Sequence, residues 1–262
     1  MAGDERGIGR SLRQGLWLAT LLGLPLMALL TQAETLLLWA GQERERLPIA
    51  SLAKMMTALL ALERGRLDEV VTVSPGAARA TGTRLGLRAG ERLHARELLA
   101  ATVVRSANDA CRALAEHLGG SAGQFVEMMN ARAAVEGMID TRYADPCGHD
   151  RDGQHSSAAD LAHLAGRLMA QPEYLRLARL PEATLRTAEG RRRFTVRNTN
   201  ALIGRYEGAL GLKTGYTEGA GNCLVALAEK NGSKVLVVLL NAPNRWWNAV
   251  GLLERAFEAP AP

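Results

Sequence analysis

Aromatic residues and lysine are scarce in this chain, which carries its positive charge almost entirely as arginine. The 262 residues include three phenylalanines, four tyrosines and four tryptophans, and only four of the 32 basic residues are lysines. Surfaces that bind nucleic acid usually combine clustered basic residues with aromatic rings that stack on bases. Here acidic residues are interspersed, and the one basic run, Arg191, Arg192 and Arg193, is typical of a solvated loop. The composition argues against a nucleic-acid partner and fits a basic surface facing an anionic membrane or cell wall.

Cysteine is also scarce, and its spacing excludes the common redox and zinc motifs. The three residues, Cys111, Cys147 and Cys223, cannot all pair with one another. None belongs to the Cys-x-x-Cys arrangement of zinc sites and thioredoxin-like motifs. We interpret all three as small buried side chains.

Metal-binding patterns are weak as well. His149 and His155 flank Asp150 and Asp152, and both residue types bind metals. The glycines between them indicate a polar loop instead. We therefore predict no metal and no cofactor.

Residues 1–33 have the pattern of an export signal. Arg6, Arg10 and Arg13 precede an apolar stretch over residues 16–30, and Ala33 ends a small-residue cleavage site. The stretch is shorter than the roughly 20 residues that a membrane-spanning helix needs. We predict a signal peptide, with an uncleaved membrane anchor as the alternative, followed by one domain over residues 34–262.

The hydrophobic pattern predicts strands towards both ends of the domain and helices between them. Strands are expected at 35–40, 70–73, 210–216, 223–228 and 235–240, and helices at 51–64, 91–137 (with breaks at 105–108 and 119–120), 155–169 and 245–257. Asn231-Gly232 between the last two strands predicts a hairpin, because both turn residues tolerate positive φ. This order predicts an α+β fold, an antiparallel sheet flanked by helices with an inserted all-helical subdomain.

Ser51 and Lys54 are the first candidates for chemistry. Pro48 is suited to a helix start, and residues three apart on a helix share one face. A serine hydroxyl is a poor nucleophile without a neighbouring base, and lysine can act as that base if its pKa is lowered. Arginine cannot, and this arginine-rich chain nevertheless has lysine here.

Two further motifs follow in the chain. Ser106-Ala-Asn108 falls in a predicted helix break, and Lys213-Thr-Gly215 lies on a predicted strand. Alone, the first is compatible with a turn or a helix cap and the second with a strand end. Together with Ser51-x-x-Lys54, in this order, they resemble the serine penicillin-recognising enzymes.

The wider sequence resembles the serine-type D-alanyl-D-alanine carboxypeptidases, which are low-molecular-mass penicillin-binding proteins of peptidase family S11. The resemblance covers residues 35–257 and is carried by the motifs above and by Asp145-Pro-Cys-Gly148 and Arg197-Asn-Thr-Asn200. It implies a β-lactamase/transpeptidase-like fold over residues 34–262. It also implies removal of the terminal D-alanine from peptidoglycan stem peptides in the bacterial cell envelope, with β-lactams as covalent inhibitors.

The resemblance implies a role for each catalytic residue. Ser51 would attack the carbonyl carbon and form an acyl-enzyme, and Lys54 would take its proton. A dry cleft and the nearby charge of Lys213 would keep Lys54 partly neutral. Ser106 would relay a proton to the departing amine. The N–H groups of Ser51 and Tyr216 would form the oxyanion hole.

It implies substrate contacts as well. Asn108 would hold the peptide backbone, while Lys213 and Thr214 would bind the terminal carboxylate. Gly215 would allow the substrate backbone to approach the strand. Arg245 is a further candidate for carboxylate contact, although a surface charge at a helix start is the plainer interpretation.

Other functions remain open from the sequence. A β-lactamase uses the same serine and lysines, but the segment Glu182-Ala-Thr-Leu-Arg186 lacks the asparagine that ends the Glu-x-x-Leu-Asn segment of class A enzymes. A penicillin or cell-wall sensor, or a silent scaffold, is the second alternative. Residues 34–50 supply one predicted strand before Ser51, where the family usually has two.

Overall fold

The computed structural model of the protein describes residues 35–37 and 42–258. The predicted export signal over residues 1–33 and the C-terminal tail lie outside these residues. Within the described part of the chain, no helix is both long and apolar enough to cross a bilayer.

A four-stranded sheet forms the centre of the molecule. Its strands are β1 (Thr35–Leu37), β6 (Ala209–Thr217), β7 (Gly221–Lys230) and β8 (Ser233–Leu239), in the order β1-β8-β7-β6. Strands β6, β7 and β8 are antiparallel, whereas β1 pairs with β8 in parallel. Asn231 and Gly232 both have positive φ, at 52° and 80°, and connect β7 to β8. The predicted hairpin is confirmed.

The two faces of the sheet bury different side chains because residues on a strand alternate. Even-numbered residues 224–228 of β7 pack against Ala249, Leu253 and Ala256 of the last helix. Odd-numbered residues 223–227 belong to the main core, with the helices of the preceding segment. The sheet is therefore covered on both faces, and β6 at its edge lies beside the start of the first helix.

The predicted helix over 91–137 begins only at Ala95, because Arg92–His94 form a strand. The described residues form eight α-helices, which are the predicted ones with their breaks and two short ones, at 75–78 and 172–178, that were not predicted. They are α1 (Lys54–Arg64), α2 (Pro75–Ala78), α3 (Ala95–Ala100), α4 (Asn108–Gly119), α5 (Ala122–Val135), α6 (Ala158–Met169), α7 (Pro172–Ala178) and α8 (Arg245–Glu258). A one-turn 3-10 helix (Ala50–Ala53) precedes α1, and a π-helical turn (Ala101–Arg105) extends α3.

The inserted segment is not all-helical, which corrects the prediction. Strands β2 (Val70–Thr72) and β3 (Arg92–His94) form one small sheet, and β4 (Glu182–Arg186) and β5 (Arg193–Arg197) form another. In β5 only every second side chain is buried, which is a strand pattern too short to stand out in the sequence. Arg193 therefore begins a strand, although its side chain is exposed as expected.

All three cysteines are buried, as interpreted from the sequence. The interpretation of Cys111 and Cys147 as merely small buried side chains is nevertheless wrong, because a disulfide joins Cys111 in α4 to Cys147. Their Cα atoms are 5.9 Å apart, although 36 positions separate them in the sequence. Only the tertiary fold brings them together, so their spacing gave no signal. Cys223 is free and buried, as predicted.

Loss of this disulfide is expected to lower the free energy of unfolding by roughly 3–4 kcal/mol, because the cross-link restricts a long loop of the unfolded chain. Denaturant titrations of the protein with and without dithiothreitol measure the effect, and Cys111→Ala/Cys147→Ala should reproduce it. Cys223→Ala is the control, since it removes a buried thiol but no cross-link and should keep the sensitivity to reductant. Equal stability in both conditions would show that the bond does not form.

Candidate active site

The candidate nucleophile, Ser51, lies in the 3-10 turn that leads into α1. Its neighbours Ile49 and Leu52 are fully buried and anchor the turn in the core, while Ser51 itself is partly exposed. Ala50 has φ +46°, a left-handed conformation that is uncommon for a residue other than glycine. Such conformations persist only where the surroundings hold them, and they are frequent at active sites. The turn therefore presents Ser51 from a fixed, strained backbone.

Lys54, at the start of α1, is buried and points towards Ser51. Its Nζ lies 2.8 Å from Ser51 Oγ and 2.7 Å from Asn108 Oδ1. It also contacts the carbonyl oxygen of Cys147. Ser51 and Lys54 are thus in direct hydrogen-bond contact, as their spacing on one helix face predicts.

These three partners decide which way a neutral Lys54 amine faces. A neutral amine has two hydrogens and one lone pair. The amide oxygen of Asn108 and the carbonyl oxygen of Cys147 have no hydrogen to give, so each must accept one from Lys54. Only Ser51 can donate, and the lone pair of Lys54 is therefore directed at the Ser51 hydroxyl. This is the arrangement that a general base requires.

The environment also favours the neutral amine. Burial lowers the pKa of Lys54 to about 7, against the opposing charge of Asp145. The pKa of Lys213 is also lowered well below its ordinary value, first by burial and then by the charges of Lys54 and Arg245. Desolvation is thus the main influence on Lys54, while the predicted repulsion between the two lysines acts chiefly on Lys213.

The second motif lies where the π-helical turn ends. Ser106 has φ 60° and ψ 31°, which breaks the helix and turns its side chain towards β6. Its Oγ accepts a hydrogen bond of 2.8 Å from Lys213 Nζ. Asn108 begins α4, and its Nδ2 donates to the carbonyl oxygen of Thr81 at 2.6 Å. Its amide thus has protein partners on both sides, and holding a peptide backbone would require one contact to be exchanged.

The third motif lies on β6. Lys213 is 2% exposed, and Thr214 Oγ1 lies 2.7 Å from Thr199 Oγ1. A Cβ atom at Gly215 would lie 3.0 Å from the carbonyl oxygen of Ile49 and 3.2 Å from the backbone nitrogen of Ser51. The sequence suggested that this glycine makes room for a substrate. In the structure it also makes room for the backbone of the nucleophile.

Tyr216 and Arg245 lie beyond this motif. Tyr216 is 61% exposed, so its ring is free to contact a ligand. Arg245 begins α8, and its Nη1 donates to the carbonyl oxygens of Gly215 at 2.6 Å and Cys223 at 3.3 Å. The interpretation of Arg245 as a simple surface charge is therefore wrong, since its guanidinium is half-buried and bonds to β6 and β7.

Residues after α5 contribute more than the sequence indicated. The loop from Asp145 to Asp150 contacts the first two motifs and the end of β6, just beyond the third. Cys147 contacts Lys54, and His149 Nε2 lies 3.2 Å from Asn108 Nδ2. Asp150 accepts a hydrogen bond of 2.7 Å from Thr217 Oγ1 at the end of β6. The family resemblance includes Asp145-Pro-Cys-Gly148, but it assigned these residues no role, and by composition the segment is a polar loop.

Two residues that could suggest a metal site, His149 and Asp150, have protein partners. Among the residues that the structure describes, no group of three histidine, cysteine, aspartate or glutamate side chains could hold a metal ion. Asp150 interacts with Thr217 and with the backbone nitrogen of Gly219 instead. The site brings together a serine hydroxyl, two buried lysines, a second serine and an amide, an arrangement that suits a serine nucleophile activated by a lysine.

Comparison with known proteins identifies the family. The profile described as D-alanyl-D-alanine carboxypeptidase, peptidase family S11, matches residues 27–244. D-alanyl-D-alanine carboxypeptidase DacF of Bacillus subtilis is 36% identical over 210 residues, which are 78% of this chain and 54% of that protein. The chain belongs to this family. It spans about half the length of three of the curated relatives that it matches.

Solved structures agree with this assignment. A D-alanyl-D-alanine carboxypeptidase of Mycobacterium tuberculosis superposes with a TM-score of 0.79 and 29% identity, covering 85% of this chain and 86% of that one. Penicillin-binding protein D2 of Listeria monocytogenes, in its ampicillin-bound form, has a TM-score of 0.73 and 31% identity, covering 84% and 91% of the two chains. The fold is therefore the α+β, transpeptidase-like fold predicted from the sequence.

Proposed function

We propose that the protein is a serine D-Ala-D-Ala carboxypeptidase, which removes the terminal D-alanine from peptidoglycan stem peptides. The observation that carries the proposal is the 2.8 Å contact between Ser51 Oγ and Lys54 Nζ, with the lysine buried. Lys54 takes the hydroxyl proton as Ser51 attacks the carbonyl carbon between the two D-alanines. The backbone N–H groups of Ser51 and Tyr216 stabilise the oxyanion, each donor contributing about 3–4 kcal/mol.

The leaving amine needs a proton, and the site offers a route. Ser106 Oγ contacts Lys213 Nζ. In this proposal Ser106 relays the proton that Lys54 took from Ser51 to the amine of the departing D-alanine, which returns Lys54 to its neutral form. Water then hydrolyses the ester on Ser51, and Lys54 again serves as the base. Expulsion of D-alanine and hydrolysis together regenerate the free serine.

Lys213 and Thr214 bind the terminal carboxylate in this proposal. Burial lowers the pKa of Lys213, and the negative charge of the arriving carboxylate raises it again. The amine therefore becomes charged when the substrate binds. The peptide lies along β6, which is an edge strand in the described sheet. Requirement for a free carboxylate explains why a chain end, and not an internal bond, is cut.

We further propose that residues 1–33 are a signal peptide or an anchor, that residues 34–262 form the catalytic domain, and that the protein works outside the cytoplasm. The substrate supports this location, because peptidoglycan stem peptides are processed in the cell envelope. The N-terminal apolar segment is the part of the chain suited to membrane contact. β-lactams should acylate Ser51, as the ampicillin-bound relative suggests.

Incubation with diacetyl-Lys-D-Ala-D-Ala, followed by mass spectrometry of product and protein, tests the activity. The proposal expects release of one D-alanine, and a slowly lost penicilloyl adduct on Ser51 in a parallel reaction with penicillin. Rapid turnover of penicillin would identify a β-lactamase. A penicilloyl adduct without D-alanine release would identify a sensor, and neither product would indicate a silent scaffold.

Lys213→Ala is expected to lower kcat/KM for this peptide by about 10- to 100-fold, since a charge-assisted hydrogen bond is worth about 1.5–3 kcal/mol. The loss should appear mainly in KM. A peptide ending in a carboxamide provides the internal comparison, because the wild type should discriminate against it and the variant should not. Lys234→Ala removes a lysine from β8 and should leave both values unchanged. Undiminished preference for the free carboxylate in Lys213→Ala would refute this role.

A further inference from the structure

The base in this site works only if its two acceptors stay in place. The lone pair of Lys54 faces Ser51 because Asn108 Oδ1 and the carbonyl oxygen of Cys147 take its two hydrogens. We propose that Asp145 and His149 are positioning residues, which hold both acceptors and thereby aim Lys54 at Ser51. This inference rests on the proposed function.

Asp145 holds the first acceptor through the backbone. Its Oδ1 accepts a hydrogen bond of 2.8 Å from the backbone nitrogen of Cys147 and one of 3.2 Å from that of His149. The carboxylate is buried, and the backbone nitrogen of Asp145 donates to Gln154 Oε1 at 2.8 Å. The disulfide to Cys111 fixes the side chain of Cys147. The carbonyl group of Cys147 is thus held from both sides.

His149 holds the second acceptor. Its Nδ1 lies 3.1 Å from Asp145 Oδ1, which can only accept, so Nδ1 carries the proton. Nε2 of the neutral ring is then free to accept from Asn108 Nδ2, at 3.2 Å. With its nitrogen engaged by His149 and Thr81, the amide of Asn108 must turn its oxygen towards Lys54. Asp145 therefore controls both acceptors, one directly and one through the imidazole.

Asp145 also acts on Lys54 by its charge. Burial disfavours the carboxylate, but the hydrogen bonds from His149 and from two backbone N–H groups prevail and lower the pKa of Asp145 to about 2. Its negative charge in turn raises the pKa of Lys54, against burial. Two other titratable groups lie near the Lys54 amine. They are His149, on the same loop as Asp145, and Lys213 on β6, which also interacts with the charge of Arg245 of α8.

Two pairs of variants separate these contributions. Asp145→Asn keeps an oxygen for the backbone N–H groups and removes the charge, whereas Asp145→Ala removes both. His149→Gln can place an acceptor near the position of Nε2 but loses the donor to Asp145. His149→Asn places a donor near Nδ1 and loses the acceptor for Asn108. The two aspartate variants thus differ in whether the oxygen at position 145 is kept. The two histidine variants differ in which contact of the imidazole is kept, with similar side-chain size.

The measurement is the second-order rate constant for acylation by a fluorescent penicillin as a function of pH. The acid limb of this profile is the low-pH range over which the rate falls. A neutral Lys54 is required, so the wild-type rate should fall as the pH drops through about 7. Asp145→Asn should keep the high-pH rate within about threefold and move the acid limb to lower pH by about 0.5 or more. Asp145→Ala should lose about 100-fold, and His149→Asn about tenfold more than His149→Gln.

The outcomes are distinguishable. An unmoved acid limb in Asp145→Asn overturns the role of the charge, and equal rates in the two histidine variants overturn the role of Nε2. The shift of the acid limb does not depend on Asp145→Ala, so it decides the matter even if that variant fails to fold. A wild-type protein that penicillin does not acylate would refute the proposed function instead.

Discussion

Replacement of Lys54 with arginine is expected to reduce acylation of Ser51 by about a thousandfold or more, although the side chain keeps its positive charge. General-base catalysis by a positioned side chain is worth about 10²- to 10⁴-fold. Arginine does not deprotonate in proteins, so it has five donors and no lone pair to offer the serine hydroxyl. The same two acceptors that aim the lysine lone pair would bind guanidinium hydrogens and leave Ser51 without a base.

The test compares Lys54→Arg with Lys54→Met, which fills a similar volume without any charge. Both should lack the penicilloyl adduct in intact-protein mass spectra, because both lack the lone pair. Lys234→Arg makes the same change on strand β8, away from the site, and should be acylated at the wild-type rate. Thermal unfolding of each variant shows whether the fold is retained. Near-native acylation of Lys54→Arg would mean that another group takes the serine proton.

Parts of the site follow from short-range geometry, and these could be predicted. The contact between Ser51 and Lys54 needs only the three-residue spacing on a helical turn. The hairpin at Asn231-Gly232 needs only two residues that accept positive φ. The convergence of Ser106 with Lys213 could not follow from spacing, because 107 positions separate them. It was expected from the family resemblance alone.

What the sequence did not reveal depends on long-range contacts between unremarkable residues. Asp145 and His149 occur in a glycine-containing polar segment, which by composition is a loop. Their importance comes from the neighbours that the fold supplies, Asn108 and Lys54. The disulfide also depends on a long-range contact, because Cys111 and Cys147 can pair only where the fold brings α4 and the loop together. Strand β2 was predicted, but its partner β3 and the strands β4 and β5 were missed, because strands of three to five residues give too few alternations to be recognised.

Gly148 illustrates how tightly the loop and the nucleophile fit. Its φ is +84°, a conformation that glycine adopts readily and alanine does not. A Cβ atom there would lie 1.9 Å from the carbonyl oxygen of Ala50 and 2.8 Å from the backbone nitrogen of Ser51. The obstacles are backbone atoms of a turn that is itself strained at Ala50, so no side chain can rotate away to make room.

Gly148→Ala is therefore expected to lower acylation of the folded protein by about 100-fold or more and to destabilise it by about 3 kcal/mol, as overpacking and backbone strain combine. Displacement of Ser51 would misalign it with Lys54 and disturb one donor of the oxyanion hole, which alone is worth about 10²-fold. Acylation rates should be normalised to the folded fraction from circular dichroism.

The matched control is Gly137→Ala, where φ is +69° but no atom lies within 4 Å of the added Cβ. That variant should lose about 1 kcal/mol of stability and be acylated at the wild-type rate. If both alanine variants behaved alike, the close packing of the loop against the nucleophile turn would be irrelevant to catalysis, and only the unfavourable φ would matter.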